Sequence, residues 1–523
     1  MKHFIARHII LSIALCTAAD AAALHASPGA SDSVVQPYVA TGALLDYTGL
    51  YTSASIPFLN PALMPRRQPF SLCRAAVSYR SDLMNAPVIA QQGRGTQQAS
   101  FDAEAYMLLR HSAVWGNASY TNGRIVGMKL CESPDWRIVA PYTIADTIGG
   151  NQKMEHYRFG AGYGAAGRIV DWGIAISYDA GLYYRQTDPR PKSITGLLDI
   201  RLGAAFHAGR YLIGPGACFQ RYRQSTDISF MSEMGESKLY HTTGLGTHYS
   251  RFDGSGSNVF SDMFTYTLSA DIFPAADRGW FAAARFTLSS MRHVIRDLNK
   301  LPMAGLTDKK CQIQLGYMHL EGSLRWKAFA DFAASHRHGR ENLFGDPSSG
   351  SYPEIGSRLA YADNSWQIRC AADVVALNGK WQFSAAPSIA YSHSLIATAE
   401  PHRKQFADLL CASLRLSAAR TLGSRWSAAA AVGASYGYSP KSYLTGISSS
   451  GNAADRADFL FNKAATDNFR NLTAVRRSIS ASMRLQYSFS ARYALALAAG
   501  YNHTGYSSGL FGNAADVSLQ FLF

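Results

Sequence analysis

Two glycine-containing motifs in the chain have residue types that could bind a cofactor or perform catalysis. Residues 162–167 match G-x-G-x-x-G, which in a dinucleotide site opens a helix whose N-terminus holds the pyrophosphate. Residues 433–437 match G-x-S-x-G, the pattern of a serine nucleophile on a sharp strand-to-helix turn. Both motifs need a helix to follow, but neither is followed by helical periodicity. We therefore interpret these glycines as parts of strands and turns.

Histidine pairs offer the other possible chemistry. His336 and His338 would face the same way on a strand and could share a metal, but no third ligand is evident apart from nearby Glu341. His393 and Ser394 are adjacent, so on a strand they point to opposite faces and do not pair directly. The sequence therefore predicts no enzyme activity, no bound metal and no cofactor.

The elements that carry these motifs alternate apolar with polar or small residues from about residue 70 to the C-terminus. In residues 478–489, Ile479, Met483 and Leu485 share one face, while Ser480 and Arg484 share the other. A period of two indicates strands whose two faces meet different environments. Counting such runs predicts about 18 strands, in a range of 16–18, and an all-β fold.

Three features favour a transmembrane antiparallel barrel over a soluble sandwich. Short turns alternate with long loops near residues 124–152, 223–258, 340–356 and 441–476, as periplasmic turns and extracellular loops do in outer-membrane barrels. An aromatic residue follows each of eight short turns, which predicts a girdle at the membrane interface. The predicted girdle consists of Trp115, Trp172, Tyr211, Trp280, Trp326, Trp381, Trp426 and Tyr493.

The last strand completes the pattern. Val517, Leu519, Phe521 and Phe523 alternate with other residues, and the sequence ends on an aromatic residue, as in the signal read by the barrel assembly machinery. With an even strand number, both termini are expected on the periplasmic side of a bacterial outer membrane.

Charged residues on the face opposite the apolar one are predicted to line the lumen. They would either form ion pairs that hold or fill a wide barrel, or give the lumen a weak preference for anions. The lumen candidates are Arg158, Asp179, Arg185, Asp199, Arg201, Arg285, Lys327, Asp331, Arg369, Asp373, Arg415 and Arg484.

Composition and charge exclude several other classes of protein. Charged residues make up 16% and aromatic residues 12% of the 523 positions, which excludes a disordered protein. No long apolar run follows residue 19, which excludes a helical membrane protein. The net charge of +14 is not arranged as a basic helix, so we expect no nucleic-acid partner. We expect basic external loops to bind the phosphates of lipopolysaccharide, and the barrel to contact outer-membrane lipid.

The N-terminal region is predicted to be processed. Residues 1–26 have a charged start, a short apolar core and a cleavage site before Ser27, as in a secretory signal peptide. Residues 27–69 do not alternate, and form either a periplasmic extension or a plug within the lumen. Residues 70–523 form the barrel. The six cysteines after the signal are widely spaced, which favours free thiols over disulfides or a zinc site.

Two short stretches resemble a known family. Residues 183–191, with the sequence YYRQTDPRP, and Leu239-Tyr240 followed by Gly244-Leu245-Gly246 resemble outer-membrane barrels of about 500 residues from Bacteroidota whose function is unassigned. The resemblance implies an outer-membrane location and a TonB-dependent receptor as a partner in uptake. Asn60-Pro61-Ala62 is similar to the start of FadL-type fatty-acid transporters, which implies a plugging N-terminal segment.

These observations predict an integral outer-membrane barrel for the passage or capture of small solutes, as an accessory to a TonB-dependent uptake system. One alternative is a FadL-like channel for hydrophobic compounds. Another is a structural or partner-binding surface barrel.

Overall fold

A computed structural model of the protein describes residues 59–232, 237–347, 351–447 and 456–523. The predicted signal peptide and residues 27–58 lie outside the described residues.

Alternating sequence produces long strands throughout the described chain. The strands are β1 Leu72–Met84, β2 Gly95–Leu108, β3 Ser112–Met128, β4 Ile144–Ala145, β5 Gly150–Ala165, β6 Val170–Tyr184, β7 Arg190–Ala208, β8 Tyr211–Ser229, β9 Tyr240–Gly244, β10 Thr247–His248, β11 Asn258–Pro274, β12 Arg278–Ile295, β13 Leu301–His319, β14 Leu324–Phe344, β15 Glu354–Asn378, β16 Trp381–Thr398, β17 Arg403–Leu422, β18 Trp426–Thr445, β19 Arg476–Ser488, β20 Ala494–Tyr506 and β21 Phe511–Leu522.

Eighteen of these strands form one closed antiparallel barrel, which confirms the predicted fold class. Each barrel strand pairs with the strands next to it along the chain, and β1 pairs with β21 to close the ring. Closure leaves no unpaired sheet edge, which a strand inside lipid requires. The three short strands β4, β9 and β10 form a separate small sheet.

The two ends of the barrel differ, as the loop lengths predict. At one end, the turns between strands are short, and both β1 and β21 have their outer termini there; we term this the turn end. At the opposite end, long connections follow β3, β8, β14 and β18; we term this the loop end.

The two faces of the strands are chemically distinct. On β19, Ile479 and Met483 are 68% and 64% exposed on the outer face, whereas Arg484 and Gln486 are buried on the lumenal face. Large apolar side chains on the outside and polar ones inside are the reverse of a soluble protein and are typical of a barrel in lipid.

Several strands extend further toward the loop end than the sequence predicts. Strand β13 begins at Leu301, whereas alternation predicts a start near residue 308. The register with β12 shifts between His293 and Val294, and this bulge breaks the period of two on which the prediction depends. Leu301 and Met303 point inward and are buried, because loop residues pack against them.

Helices are few and lie in the connections. Helix α1 spans Trp136–Val139, and helix α2 spans Arg456–Thr473 within the last long loop, where no helix was predicted. A short 3-10 helix, Pro61–Arg66, precedes the barrel. No helix in the described part of the chain is both long and apolar enough to cross a membrane.

Candidate functional site

Residues 59–70, which we term the lumen segment, lie inside the barrel at the turn end and are held there by Asn60. The Asn60 amide nitrogen donates to the Asp271 carboxylate at 3.2 Å and to the carbonyl oxygens of Ala204 and Pro215 at 3.3 Å each. Its Oδ1 accepts from the Ala62 N–H at 3.1 Å, which caps the 3-10 helix. Asn60 is only 2% exposed, so one side chain joins the segment to three strands.

The hydrogen-bond ladder between β7 and β8 is interrupted where the Asn60 amide contacts the wall. The pairing of β7 with β8 is interrupted for two residues on each strand, at the level of Ala204 and Pro215. Proline has no N–H to donate to a neighbouring strand, so a ladder cannot be completed across it. The Asn60 amide donates to the carbonyls of both residues instead.

Glycines in the wall, among them Gly203 and Gly173, allow the lumen segment to approach closely. A Cβ at Gly203 would lie 1.8 Å from the Oδ1 of Asn60, and one at Gly173 would lie 2.4 Å from the carbonyl carbon of Pro61. Any side chain at either position would collide with the segment. The glycines therefore form a seat shaped for residues 60–62.

Two further contacts fix the segment along its length. The Tyr106 hydroxyl donates to the carbonyl of Met64 at 2.7 Å. The guanidinium of Arg66 lies 3.5 Å from the carboxylate of Asp171, which is buried and also bonded to the ring of His207 at 2.8 Å. These contacts connect the segment to strands β2 and β6.

Apolar packing completes the attachment and extends it across the lumen. Ala62 and Leu63 are fully buried in a cluster with Ala205, Leu212, Phe273, Phe281, Met318 and Phe329. Beyond the 3-10 helix, Phe70 packs against Val375 on β15. The segment thus contacts β6 and β7 at one point and β15 at another, so it runs across the lumen. Residues 59–70, the described part of the predicted N-terminal region and its junction with β1, therefore contact the inner wall of the barrel.

Charged side chains line the lumen between the lumen segment and the loop end. Three pairs are formed by the predicted candidates: Arg158 and Asp179 at 2.5 Å, Arg201 and Asp199 at 2.8 Å, and Arg369 and Asp331 at 2.8 Å. The side chains of Arg158 and Arg369 remain 53% and 44% exposed within these pairs. The wall therefore combines ion pairing with charge that water and solutes can reach.

The remaining inward-facing candidates differ in exposure. Lys327 and Asp373 lie opposite each other on β14 and β15, and both are buried. Arg285 and Arg484 are buried on the lumenal faces of β12 and β19, whereas Arg415 on β17 is exposed to the lumen.

Arg185 does not line the open lumen. It follows β6 at the loop end, where it is 2% exposed and pairs with Glu132 at 2.9 Å and Asp146 at 2.6 Å. Its Nε also donates to the carbonyl of Pro189 at 2.8 Å. Our prediction that Arg185 lines the lumen is wrong, because alternation continues past the end of the strand into the loop. Arg185, within the stretch that resembles the Bacteroidota barrels, instead joins two loops.

Burial controls the protonation of this buried triad. Burial raises the pKa of Glu132 well above its usual range, and the neighbouring Asp146 adds to this effect. Burial opposes ionisation of Asp146 too, but hydrogen bonds from Glu132 and the Gly149 N–H, with the charge of Arg185, lower its pKa. The two opposite shifts favour ionisation of Asp146 over Glu132, and an ionised Asp146 balances the charge of Arg185.

Folded loops cover part of the loop end. A core of fifteen buried residues joins loop side chains such as Tyr142, Ile144 and Phe252 to the inner wall of β8 and β11–β14. Helix α2 packs beside it through Phe461, against Tyr240 and Ala145.

His248 links two of these loops through a pair of carboxylates. Its Nδ1 lies 2.9 Å from Asp253, and its Nε2 lies 2.8 Å from Asp458 at the start of helix α2. Burial lowers the pKa of His248, but the hydrogen bonds and charges of both carboxylates outweigh burial and raise it. A protonated His248 therefore holds helix α2 to the rest of the loop end.

Most of the predicted girdle lies on the outer face near the turn end. Trp172, Trp280, Trp381, Trp426 and Tyr493 are exposed there. Tyr211 and Trp326 also face outward, and Trp326 contacts the ring of Tyr317 at 5.4 Å.

Trp115 is an exception that corrects our girdle prediction. It lies on the lumenal face of β3, directly across from Gly162, and packs near Met64 of the lumen segment. The glycine leaves room for the indole on the inside, so Trp115 belongs to the seat of the segment.

The residues with possible chemistry are dispersed. Ser435 lies within strand β18, His336 and His338 lie on the outer face of β14, and His393 pairs with Asp408 on the outer face at 2.8 Å. Among the described residues, no group of three or more His, Cys, Asp or Glu side chains could hold a metal. The six cysteines in this part of the chain are free.

The C-terminal strand forms one side of the closing seam. Val517, Leu519 and Phe521 are exposed on the outer face. Phe523 exchanges backbone hydrogen bonds with Cys73 at the start of β1.

Sequence reasoning noted Asn60 only through a three-residue similarity, and it missed Asp271, Gly173 and Gly203. One feature of the sequence indicated an irregular wall. Pro215 lies within an alternating run, and proline has no backbone N–H to donate to a neighbouring strand.

Comparison with known proteins gives a family and a fold. The chain belongs to a family of unknown function (DUF6850), whose profile matches residues 61–523. No curated protein matches the sequence.

Solved structures with a similar fold include two transporters and a channel. The copper transporter OprC has a TM-score of 0.41 and 11% identity over 87% of this chain and 80% of that chain. The outer membrane transporter YddB from Escherichia coli has a TM-score of 0.42 and 8% identity over 87% and 81%. The CymD monoaromatic hydrocarbon channel has a TM-score of 0.32 and 9% identity over 94% and 98%. The likeness describes the barrel fold.

Proposed function

We propose that this chain is a gated passage for small solutes in the bacterial outer membrane, with its turn end in the periplasm. The lumen segment is the gate at that end, and the folded loops restrict entry at the other. The proposal assigns the chain no catalytic activity.

The observation that carries the proposal is the seat of the lumen segment. Asn60 is bonded within a wall that has glycines at the points of contact and a proline that leaves ladder acceptors open. The inner wall is therefore complementary in shape and hydrogen bonding to the lumen segment, as expected of a segment that closes the lumen. The lumen segment is held by side-chain hydrogen bonds and packing, so it can leave while the eighteen strands stay paired.

The part of the lumen between the lumen segment and the loop end suits polar solutes. Arg158, Arg369 and Arg415 are exposed on its wall, and cationic rings favour anions. We therefore expect a mild anion preference once the gate opens.

A second candidate is the FadL-like channel for hydrophobic compounds. It is favoured by the position of Asn60-Pro61-Ala62 inside the lumen, as expected of a plugging N-terminus. The two candidates share the gate and differ in the solute.

We also propose contacts with lipopolysaccharide at the outer face of the loop end. Lys309 lies beside His336 across β13 and β14, and Lys441 lies 5.5 Å from the centre of the Phe406 ring. Cations near aromatic rings suit the phosphates at a membrane surface. A TonB-dependent receptor as partner, and the barrel assembly machinery as the reader of the C-terminal strand, stay predictions.

The test compares two deletions in reconstituted liposomes. Removing residues 27–58 leaves the lumen segment in place, whereas removing residues 27–69 takes away Asn60 and its neighbours. We expect sugar and amino-acid influx to rise only with the longer deletion. Equal, low influx for both would contradict a gate at the turn end. High influx for the intact barrel would show that the segment leaves the lumen open.

A further inference from the structure

A pocket of about 230 Å³ lies between the lumen segment and the barrel wall at the turn end. One side is formed by residues 65–69, and the other by strands β11–β14 with the turn after β11. Apolar side chains dominate the wall, including Phe273, Phe281, Met318 and Leu320. The volume is below that of pockets for drug-sized ligands, so the pocket suits a smaller molecule.

A buried lysine lines this apolar pocket. Lys327 is 4% exposed and sits on the lumenal face of β14. Among the described residues, its ammonium forms no ion pair within 4.0 Å, although twenty-three such pairs occur there. An ammonium removed from water without a close anion is costly, so the site is complementary to an anionic group.

The carboxylate on the neighbouring strand does not neutralise Lys327 at close range. Asp373 lies directly opposite Lys327 on β15 but beyond ion-pair distance, and its Oδ2 has no hydrogen-bond partner among the described residues. Two further cations, Arg66 and Arg67, lie at the pocket wall. Arg66 is already paired with Asp171, and Asp277 at the same wall offsets the charge of Arg67. Among the described residues, the ammonium of Lys327 is therefore the buried cation of this apolar pocket that lacks a close anion.

We propose that this pocket binds a small apolar carboxylic acid, with the carboxylate at the Lys327 ammonium and the apolar body against Phe281 and Met318. The inference rests on the proposed function only in identifying this acid as a solute of the passage.

The site has a consequence for the gate. Pro65 and Pro69 of the lumen segment form one wall of the pocket, so the pocket exists only while the segment is seated. A ligand there contacts both the gate and the barrel. Removal of residues 27–69 is therefore expected to abolish binding.

The experiment is calorimetric titration of the refolded mature barrel with hexanoate and, as a neutral counterpart, 1-hexanol. We expect hexanoate to bind about ten-fold more tightly, because a charge-assisted contact is added to the same apolar burial. Lys327→Met is expected to remove this preference. Lys380→Met, at an exposed turn, removes the same charge and is expected to leave the preference for hexanoate over 1-hexanol unchanged.

A second variant keeps the test independent of the buried lysine. Ala276→Trp lies in the turn that lines the pocket and is expected to fill it, which abolishes binding of both ligands. Equal affinity for hexanoate and hexanol, or unchanged binding in both variants, would overturn the proposal. Ligand binding is measured on the closed barrel, whereas solute influx is measured on the deletion variants. A negative binding result would therefore contradict the pocket proposal without contradicting the gate, and a negative influx result would do the reverse.

Discussion

The side-chain amide of Asn60 donates a hydrogen bond to the Asp271 carboxylate at 3.2 Å, across 211 positions of the chain. Asn60 precedes the first strand, whereas Asp271 lies near the turn end of β11. The bond fixes the lumen segment to a strand far from it in sequence, inside a closed ring. The segment is held by side-chain hydrogen bonds and apolar packing inside a ring of paired strands, so it can leave the lumen without opening the ring.

Replacing Asn60 with alanine is expected to loosen the lumen segment without disturbing the barrel. The change leaves the carboxylate of Asp271 and the carbonyls of Ala204 and Pro215 without the amide, at a cost of about 1–3 kcal/mol. Hydrogen exchange of residues 59–70 measures the effect and should accelerate. Asn122→Ala, at an exposed asparagine of β3, is the matched control. Equal exchange in both variants would show that Asn60 does not hold the segment.

The exposed lumen arginines are expected to set ion preference in an opened barrel. In the 27–69 deletion, Arg415→Gln should lower the ratio of anion to cation permeability roughly two-fold, because a unit charge ~10 Å away in water contributes about 0.4 kcal/mol. Reversal potentials across a salt gradient measure the ratio. Arg420→Gln removes the same charge beside Trp381, outside the lumen, and should have no effect. An identical shift from both substitutions would assign the preference to overall charge.

The loop end is expected to loosen as pH rises. The pKa of His248 is raised above its ordinary 6.5 by Asp253 and Asp458, so the folded state favours the protonated ring. Protonation of His248 therefore stabilises the folded loop end. This stabilisation is complete below pH 6.5 and is lost as pH rises through the pKa of His248 in the folded protein. Exchange of residues 456–473, corrected for intrinsic rate, should therefore increase with pH.

His248→Ala should remove this pH dependence by making exchange fast at every pH. His402→Ala, at an exposed position, should keep the wild-type profile. A pH profile that survives the loss of His248 would place the titrating group elsewhere.

The buried triad is expected to contribute more to stability than any surface pair. Arg185→Met leaves the Asp146 carboxylate buried without its cation, which should cost about 3–5 kcal/mol. Urea unfolding in detergent micelles measures the loss. Adding Asp146→Asn should recover part of it, because the uncompensated charge is then gone. A loss no larger than that of Arg158→Met, at a half-exposed pair, would contradict this account.

The barrel itself was largely predictable because alternation is a local property. A lipid-facing strand needs large apolar residues at every second position, as in Ile479 and Met483, so strand number and faces can be read from sequence. Prediction weakened where that rule no longer applies. Beyond the membrane band, Leu301 and Met303 point inward against loops, and helix α2 has contacts with distant loops that no local period reveals.

The site was less predictable because it depends on contacts between distant strands. Gly203 matters because Asn60 lies against it, and the indole of Trp115 fits on the lumenal face because Gly162 leaves space. A glycine or proline in an alternating run signals an irregular wall, but the sequence does not say what fills the irregularity.

The most direct test of the gate is the single-channel conductance of Gly173→Val beside Gly505→Val in a planar bilayer. Both substitutions add the same side chain to a strand; at Gly173 a Cβ meets Pro61 at 2.4 Å, whereas at Gly505 it meets open space. We expect a steady, anion-preferring conductance for Gly173→Val and a closed barrel for Gly505→Val and the wild type. A closed Gly173→Val barrel, or an open wild type, would contradict the claim that residues 59–70 close the lumen.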